Sequence, residues 1–193
     1  MSREALLHFK NIKKSFSGNV VLDGVDFEIY PGQVIALAGE NGAGKSTLMN
    51  ILFGMSVIRE TGGYEGEIIF EGKTVKVQSP EDAMALGIGM VHQHFMLVDS
   101  LTGAENMMLG LEKTGFVSNK KRDILITDEV AKKYNFEIDA SRRVRDMSVG
   151  MKQKLEILKI LYRSAKLIIL DEPTAVLTPQ ETEELFERLM ELK

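Results

Sequence analysis

The feature of this sequence that most restricts its fold is a glycine-rich loop between an apolar run and a helical pattern. The run Val34–Ala38 is apolar throughout, as expected of a strand that is covered on both faces. The loop Gly39–Ser46 follows, in which four residues separate two glycines, and a lysine and a serine come next. Residues Ser46–Phe53 then have a helical pattern. This order predicts an α/β fold with the loop at the carboxyl end of a buried strand.

The loop has the residue types needed to bind a nucleoside triphosphate. Its glycines allow a tight turn whose N–H groups point at one phosphate, and the start of the following helix adds partial positive charge. Lys45 supplies a full positive charge, and the Ser46 hydroxyl can bind a Mg²⁺ ion shared between the β- and γ-phosphates. We therefore expect ATP and Mg²⁺ as cofactors, rather than a plain glycine turn. The predicted ATP-binding residues of the loop are Gly39, Glu40, Asn41, Gly42, Ala43, Gly44, Lys45, Ser46 and Thr47.

A second candidate site follows the apolar run Leu167–Leu170. Asp171 and Glu172 come directly after this run, at the kind of position where open α/β sheets bind their ligands. We expect Asp171 to bind Mg²⁺, directly or through water, and Glu172 to orient and deprotonate the water that attacks the γ-phosphorus. Taken alone, each acid would be an exposed carboxylate at a strand end. The phosphate loop earlier in the chain favours the catalytic interpretation.

Shorter patterns predict the remaining strands and the helix starts. Val25–Ile29 alternates apolar and acidic residues, as in a strand with one solvated face, and Leu6–Ile12 can pair with it. Residues from about 95 to 165 contain helix signals and no clear strand, so we expect a helical subdomain there. Further strands are predicted at residues 67–70, 74–77 and 88–91, and helices are predicted to start after the capping residues Ser79, Thr102 and Thr178.

Length and composition exclude several classes of protein. The 193 residues suffice for one domain with a subdomain, and the absence of cysteine excludes thiol catalysis and disulfides. No apolar run approaches the about 18 residues needed to span a bilayer, and the start of the chain lacks the apolar stretch of a secretory signal. The net charge of −4 argues against a nucleic-acid-binding face. We expect a cytoplasmic globular protein whose membrane role depends on partner subunits.

Together, the phosphate loop and the two carboxylates resemble the nucleotide-binding subunit of ATP-binding cassette (ABC) transporters over nearly the whole chain. The run Met147–Lys154 is similar to the family's signature loop, Leu-Ser-Gly-Gly-Gln. Ser148 and Gly150 match this pattern, whereas Val149 and Met151 do not. The resemblance implies that this loop closes on the ATP held by a second cassette. A helix cap formed by Ser148 is the alternative interpretation.

Two further positions take their predicted roles from the resemblance alone. Gln93 resembles the glutamine of the family's glutamine loop, which contacts Mg²⁺ or the attacking water and senses the membrane subunits. Phe16 resembles the aromatic residue that stacks on adenine, although a core or surface phenylalanine fits the sequence equally well. His92 and His94 flank Gln93, but no third ligand follows at helical spacing, so we do not expect a metal site there.

The resemblance also implies the architecture and the subgroup. It implies an α/β fold with a P-loop NTPase core on a mixed or parallel sheet, an N-terminal antiparallel β subdomain and the inserted helical subdomain. The runs Met90–Val98 and Leu101–Asn106 look like importers of simple sugars and nucleosides, in which one polypeptide usually carries two cassettes. We therefore expect residues 1–193 to be most of a first cassette, incomplete at its C-terminal end. The family's switch histidine would then lie beyond residue 193.

The predicted function follows from this family membership. We expect a transport-coupled ATPase with Glu172, Lys45 and Gln93 as catalytic residues and with Ser46, Gln93 and Asp171 as Mg²⁺ ligands. The implied partners are a second cassette, membrane permease subunits and, indirectly, a solute-binding receptor, at the inner face of the cell membrane. As an isolated fragment the chain should turn over slowly. The alternative is a soluble ABC-type ATPase acting on nucleic acid or ribosomes, and a kinase or GTPase is a remote third.

Overall fold

The computed structural model describes residues 4–111, 119–175 and 177–191. The chain divides into two compact units, one ending at Ile88 and one beginning at Gly89. Within the described ranges, no helix is both long and apolar enough to cross a membrane. The elements are β1 (Leu7–Phe16), β2 (Asn19–Ile29), α1 (Lys45–Leu52), α2 (Ser56–Glu60), β3 (Glu65–Phe70), β4 (Lys73–Val75), α3 (Pro80–Leu86), β5 (Ile88–Val91), α4 (Gly103–Met108), α5 (Lys120–Lys133), a short 3₁₀ helix (Val144–Asp146), α6 (Val149–Tyr162), β6 (Leu167–Leu170) and α7 (Pro179–Glu191).

The first unit contains a four-stranded antiparallel sheet in the order β2-β1-β3-β4. The predicted pairing of the first two strands is confirmed, with Leu7 opposite Ile29 and Phe9 opposite Phe27. One face of β1 is buried because its apolar residues alternate with polar ones, and Leu7, Phe9 and Ile12 are fully covered. The sheet therefore has a dry face, which packs in the interior of this unit.

The predicted strand Val34–Ala38 is not a strand in the structure. The segment has no regular secondary structure, and Val34, Ile35 and Leu37 are 54%, 43% and 39% exposed. The prediction was wrong because an apolar run shows only that a segment can be covered on both faces. A strand also needs a hydrogen-bonded neighbour, and no strand in the described part of the chain pairs with this segment.

The second unit contains the β5–β6 sheet and helices α4 to α7. The strands predicted at 88–91 and 167–170 are confirmed in both bounds. Their neighbouring helices share a core that includes Val91, Met107, Leu155 and Leu158, all fully buried. Between residues 95 and 165 the regular elements of the described chain are helices, while residues 112–118 of the predicted helical subdomain lie outside the described residues.

The three predicted helix caps are confirmed. The Ser79 hydroxyl accepts a hydrogen bond from the N–H of Asp82, and the Asp82 carboxylate accepts one from the N–H of Ser79. Asp82 was not among the predicted capping residues. Thr102 forms the same reciprocal pair with Glu105, and Thr178 forms it with Glu181. Each pair satisfies N–H groups that have no partner in the first turn of a helix.

Two buried polar side chains hold the segment that follows Gln93. Glu156, which is 5% exposed on α6, accepts a hydrogen bond from the N–H of Met96. Asn106, which is fully buried on α4, accepts from the N–H of Val98 at 2.8 Å and donates to the Val98 and Thr102 carbonyls at 3.1 and 3.0 Å. These bonds satisfy backbone groups of a loop that forms no sheet ladder there. The position of the segment after Gln93 thus depends on α4 and α6.

Replacing Glu156 with Gln should stabilise the protein increasingly as the pH rises. Burial raises the pKa of the Glu156 carboxyl above its ordinary value of 4.5, partly offset by the Met96 N–H. Below pH 4.5 the carboxyl is protonated in both the folded and the unfolded chain, so it does not change the free energy of unfolding. At higher pH the carboxyl ionises more readily in the unfolded chain than in the folded chain, so the free energy of unfolding falls as the pH rises. Gln keeps an acceptor oxygen for Met96 without the charge. Urea unfolding of both proteins between pH 4.5 and 7.5 measures the difference.

Glu183→Gln, at an exposed position of α7, is the matched control and should leave the pH dependence unchanged. A stability difference between wild type and Glu156→Gln that stays constant across this pH range would contradict the buried charge as its cause.

Candidate functional site

The phosphate loop has the geometry of an anion-binding turn. Gly42 and Gly44 have φ of 86° and 87°, a region that side chains with a Cβ rarely adopt. The Lys45 ammonium donates to the carbonyls of Gly39 and Glu40 at 2.7 and 2.9 Å. Lys45 therefore closes the loop on itself, with its positive charge beside the loop backbone. Residues 39–43 are exposed, so a ligand can reach this charge.

The loop is held against β2 at Gly44. A Cβ on Gly44 would lie 2.6 Å from Leu22 Cδ2 and 3.0 Å from the Val21 carbonyl oxygen, so only glycine fits between loop and strand. Leu22 itself is buried. Val21 and Leu22 were not among the predicted site residues. The only indication in the sequence that these residues could pack against the loop is that two apolar residues stand directly before Asp23.

Helix α1 places the two hydroxyl residues of the loop. It begins at Lys45, so Ser46 and Thr47 lie in its first turn, and Ser46 is exposed. The opposite face of α1 is buried through Leu48, Ile51 and Leu52. A helix held by its apolar face presents its free N–H groups and the Ser46 hydroxyl at a fixed place. This is the arrangement that a Mg²⁺–phosphate complex requires.

Phe16 lies on the hairpin that supports the loop. It is the last residue of β1, pairs with Asn19 and is partly exposed. The ammonium of Lys14 lies 4.6 Å from the centroid of its ring. Phe16 is therefore neither a core residue nor a free surface side chain, and its role in base stacking remains a prediction.

In the second unit, the structure brings Gln93 and Glu172 together. Gln93 Nε2 donates a hydrogen bond to Glu172 Oε2 at 2.9 Å, and both residues are exposed. The neighbouring Asp171 is tied to β5, because its N–H donates to the Val91 carbonyl at 3.0 Å. Glu172 has φ of 48°, which is uncommon for a residue other than glycine, asparagine or aspartate. The backbone therefore leaves the strand conformation at Glu172, whereas Asp171 is still hydrogen-bonded to β5.

His92 is a neighbour of the carboxylates that the sequence analysis did not include in the site. Burial lowers the pKa of its imidazole below the ordinary value, and the negative charge of Asp171 partly opposes this effect. His92 precedes Gln93 directly, at the end of β5. Across the residues that the structure describes, no group of three or more His, Cys, Asp or Glu side chains could hold a metal ion unaided. Mg²⁺ bound with phosphate oxygens does not need such a group.

The signature-like loop begins helix α6. The Ser148 hydroxyl accepts from the N–H of Met151 at 3.2 Å, so the helix cap given as the alternative interpretation is present, and the contact with a second cassette stays a prediction. A Cβ on Gly150 would lie 2.4 Å from Glu181 Oε1, so the carboxylate of α7 takes the space of a side chain. Hydrogen bonds from the N–H and then the hydroxyl of Thr178 hold the pKa of Glu181 below its usual range. The start of α6 thus packs against an ionised carboxylate of the same chain.

Comparison with known families assigns the chain. The family model described as ABC transporter matches residues 22–175, a range that includes the phosphate loop, Gln93, Ser148 and both carboxylates. The chain belongs to the ABC transporter family. The fold prediction is confirmed by solved members of this family. A cassette of an ABC transporter in its ADP conformation has a TM-score of 0.82 at 25% identity, covering 98% of this chain and 77% of that one.

Curated relatives refine the comparison. The guanosine import ATP-binding protein NupO of Bacillus subtilis is 47% identical over 98% of this chain, and the nucleoside import ATP-binding protein NupA of Lactococcus lactis is 45% identical over all of it. The ribose import ATP-binding protein RbsA 2 of Escherichia coli O157:H7 is 37% identical over the whole chain. This ABC chain spans only 36–37% of the length of these three relatives.

Alanine at Gly44 should destabilise the fold more than alanine at Gly42. Both positions have nearly the same positive φ, which costs a residue with a Cβ about 1–2 kcal/mol. Only at Gly44 would the Cβ also overlap Leu22, whereas nothing lies within 4 Å of a Cβ at Gly42. We expect Gly44→Ala to lose about 1–3 kcal/mol more, the usual cost of overpacking. Urea unfolding without nucleotide measures both variants, and equal losses would contradict the close contact.

Proposed function

We propose that this chain is the ATP-binding and ATP-hydrolysing part of an importer of simple sugars or nucleosides. The observation that carries the proposal is the phosphate loop. Its two positive-φ glycines, the ammonium of Lys45 and the exposed start of α1 form a site for a polyanion. Glu40, Asn41 and Ala43 contribute backbone to the same loop. The proposed ligand is Mg²⁺-ATP, because Ser46 adds the hydroxyl that binds a phosphate-bridging Mg²⁺.

The proposed hydrolysis assigns separate tasks to the residues of the second unit. Glu172 accepts a proton from the water as the water oxygen bonds to the γ-phosphorus and the bond to the ADP oxygen breaks. Gln93 donates to Glu172 and so fixes the carboxylate that receives this proton. Asp171 and Gln93 have the oxygen ligands that Mg²⁺ prefers, and Lys45 balances the charge of the leaving phosphate.

The proposed partners follow from the family. Ser148 caps α6 and Gly150 lies in its first turn, and the positive end of this helix would face the γ-phosphate held by a second cassette. Permease subunits would then bind the surface near Gln93 and place the chain at the inner face of the cell membrane, with a solute-binding receptor acting indirectly. Residues 1–193 would form an incomplete cassette with a helical subdomain at about 95–165.

The names of the relatives favour import over the alternative function. NupO, NupA and RbsA 2 are described as import ATP-binding proteins for guanosine, nucleosides and ribose. A net charge of −4 also disfavours a nucleic-acid partner. Salt-dependent binding of RNA by the purified protein would instead support a soluble ATPase that acts on nucleic acid or ribosomes.

Alanine at Lys45 should weaken ATP binding. The substitution removes the loop's full positive charge and the two bonds that close it, so the affinity for Mg²⁺-ATP should fall roughly 10- to 100-fold, the usual value of hydrogen bonds to charged groups. Isothermal titration calorimetry measures the affinity. Lys73→Ala, at an exposed position of β4 in the same unit, is the matched control and should bind normally. Unchanged binding by Lys45→Ala would overturn the proposed ATP site.

Glutamine at Glu172 should separate binding from hydrolysis. Gln keeps an oxygen that can accept from Gln93 but cannot take a proton from water, so ATP affinity should be retained while turnover falls roughly 100-fold or more. Phosphate release by the full gene product measures turnover, with Glu183→Gln as the control for an exposed charge. Unchanged turnover in Glu172→Gln would remove this residue as the base.

A further inference from the structure

The ammonium of Lys14 is buried in the first unit, although it belongs to no part of the proposed ATP site. Lys14 is 3% exposed on β1. Its Nζ donates to the carbonyls of Thr61 at 2.8 Å and Gly63 at 2.6 Å, with a longer contact to Ile58 at 3.4 Å. A buried charge is costly unless it is hydrogen-bonded, and these carbonyls of the turn after α2 fix the ammonium in one place.

The fixed ammonium faces an aromatic ring. Lys14 and Phe16 are two positions apart on β1, and the strand register is irregular between Lys14 and Ser15. Nζ lies 4.6 Å from the ring centroid of Phe16, within the range of a cation–π interaction. One side of the ring is thus held by a charge that cannot move freely. The ring remains partly exposed, so it keeps surface for another contact.

The same hairpin supports the phosphate loop. Lys14 pairs with Leu22 across the two strands, and Leu22 lies against Gly44 of the loop. Phe16 follows Lys14 by two residues and pairs with Asn19 near the end of the hairpin. The ammonium, the ring and the strand that contacts the phosphate loop therefore belong to one hairpin in one unit.

We propose that Lys14 is a positioning residue for nucleobase recognition: its anchored ammonium fixes one face of the Phe16 ring so that a purine base stacks on the exposed part. This inference rests on the proposed function, because it needs ATP in the phosphate loop. A cation on one face of an aromatic ring leaves the other face available for stacking. Lys14 would then affect the affinity for the base without affecting the affinity for the phosphates.

The test compares two ligands that share the phosphates. Calorimetry measures the affinity of the chain for Mg²⁺-ATP and for Mg²⁺-tripolyphosphate, which has no base. Lys14→Met keeps the length of the side chain without its charge, Phe16→Leu removes the ring, and the double variant combines both. Lys13→Met, at the exposed neighbouring position, is the matched control. If Lys14→Met does not fold, Lys14→Gln replaces it, because glutamine is uncharged but keeps a polar N–H donor.

We expect Lys14→Met to weaken ATP binding roughly 3- to 30-fold, the value of a cation–π interaction, and to leave tripolyphosphate binding unchanged. When Phe16 is already replaced with Leu, Lys14→Met should not lower the affinity for ATP any further. Lys13→Met should change the affinity for neither ligand. Equal weakening for both ligands would show that Lys14 only stabilises the turn after α2, and unchanged ATP affinity would also overturn the proposal.

The remaining outcomes separate this inference from the proposed function. If Phe16→Leu leaves the ratio of the two affinities unchanged, the base does not stack on this ring and the inference is wrong, while the phosphate loop still binds ATP. If the wild-type chain binds neither ligand, the proposed function itself is wrong.

Discussion

The close contact between Gly44 and β2 is the constraint on which the phosphate loop depends. Because a Cβ at Gly44 would overlap Leu22, the loop can approach the strand only through a glycine, and its φ of 87° requires one independently. This contact fixes the start of α1, and therefore the direction of Lys45 and the first free N–H groups of the helix. The charge that we propose to bind phosphate is thus positioned by the packing of an apolar strand residue.

The second unit positions its polar residues by a different physical means. Glu156 and Asn106 are buried, and each satisfies backbone groups of the segment after Gln93. A buried polar group without a partner is costly, so these side chains favour one arrangement of the loop over others. The carboxylate of Glu156 also costs free energy because it is desolvated, as its raised pKa shows. Order in this loop is obtained at the expense of some stability.

The accuracy of the sequence predictions depended on the range of the interactions involved. Helix caps such as that of Ser79 were predictable because a side chain and an N–H three residues apart decide them. The Val34–Ala38 strand was not, because a strand needs a neighbour that its own residues do not specify. The burial of Lys14 was missed for the same reason, since its carbonyl partners are more than 40 residues away. Its place between Ile12 and Phe16, on the buried face of β1, was the available signal.

The two adjacent carboxylates of Asp171 and Glu172 have different backbone environments. Asp171 continues from β6 and is held to Val91 by its backbone, whereas Glu172 leaves the strand direction with φ of 48°. Such a conformation costs about 1–3 kcal/mol and persists only where surrounding contacts maintain it. Here the Glu172 carboxylate accepts from Gln93, and the Glu172 carbonyl accepts from the Ala175 N–H at 3.1 Å. The unfavourable backbone angle at Glu172 therefore persists where its carboxylate and its carbonyl are both held by hydrogen bonds, one from Gln93 and one from the turn that follows.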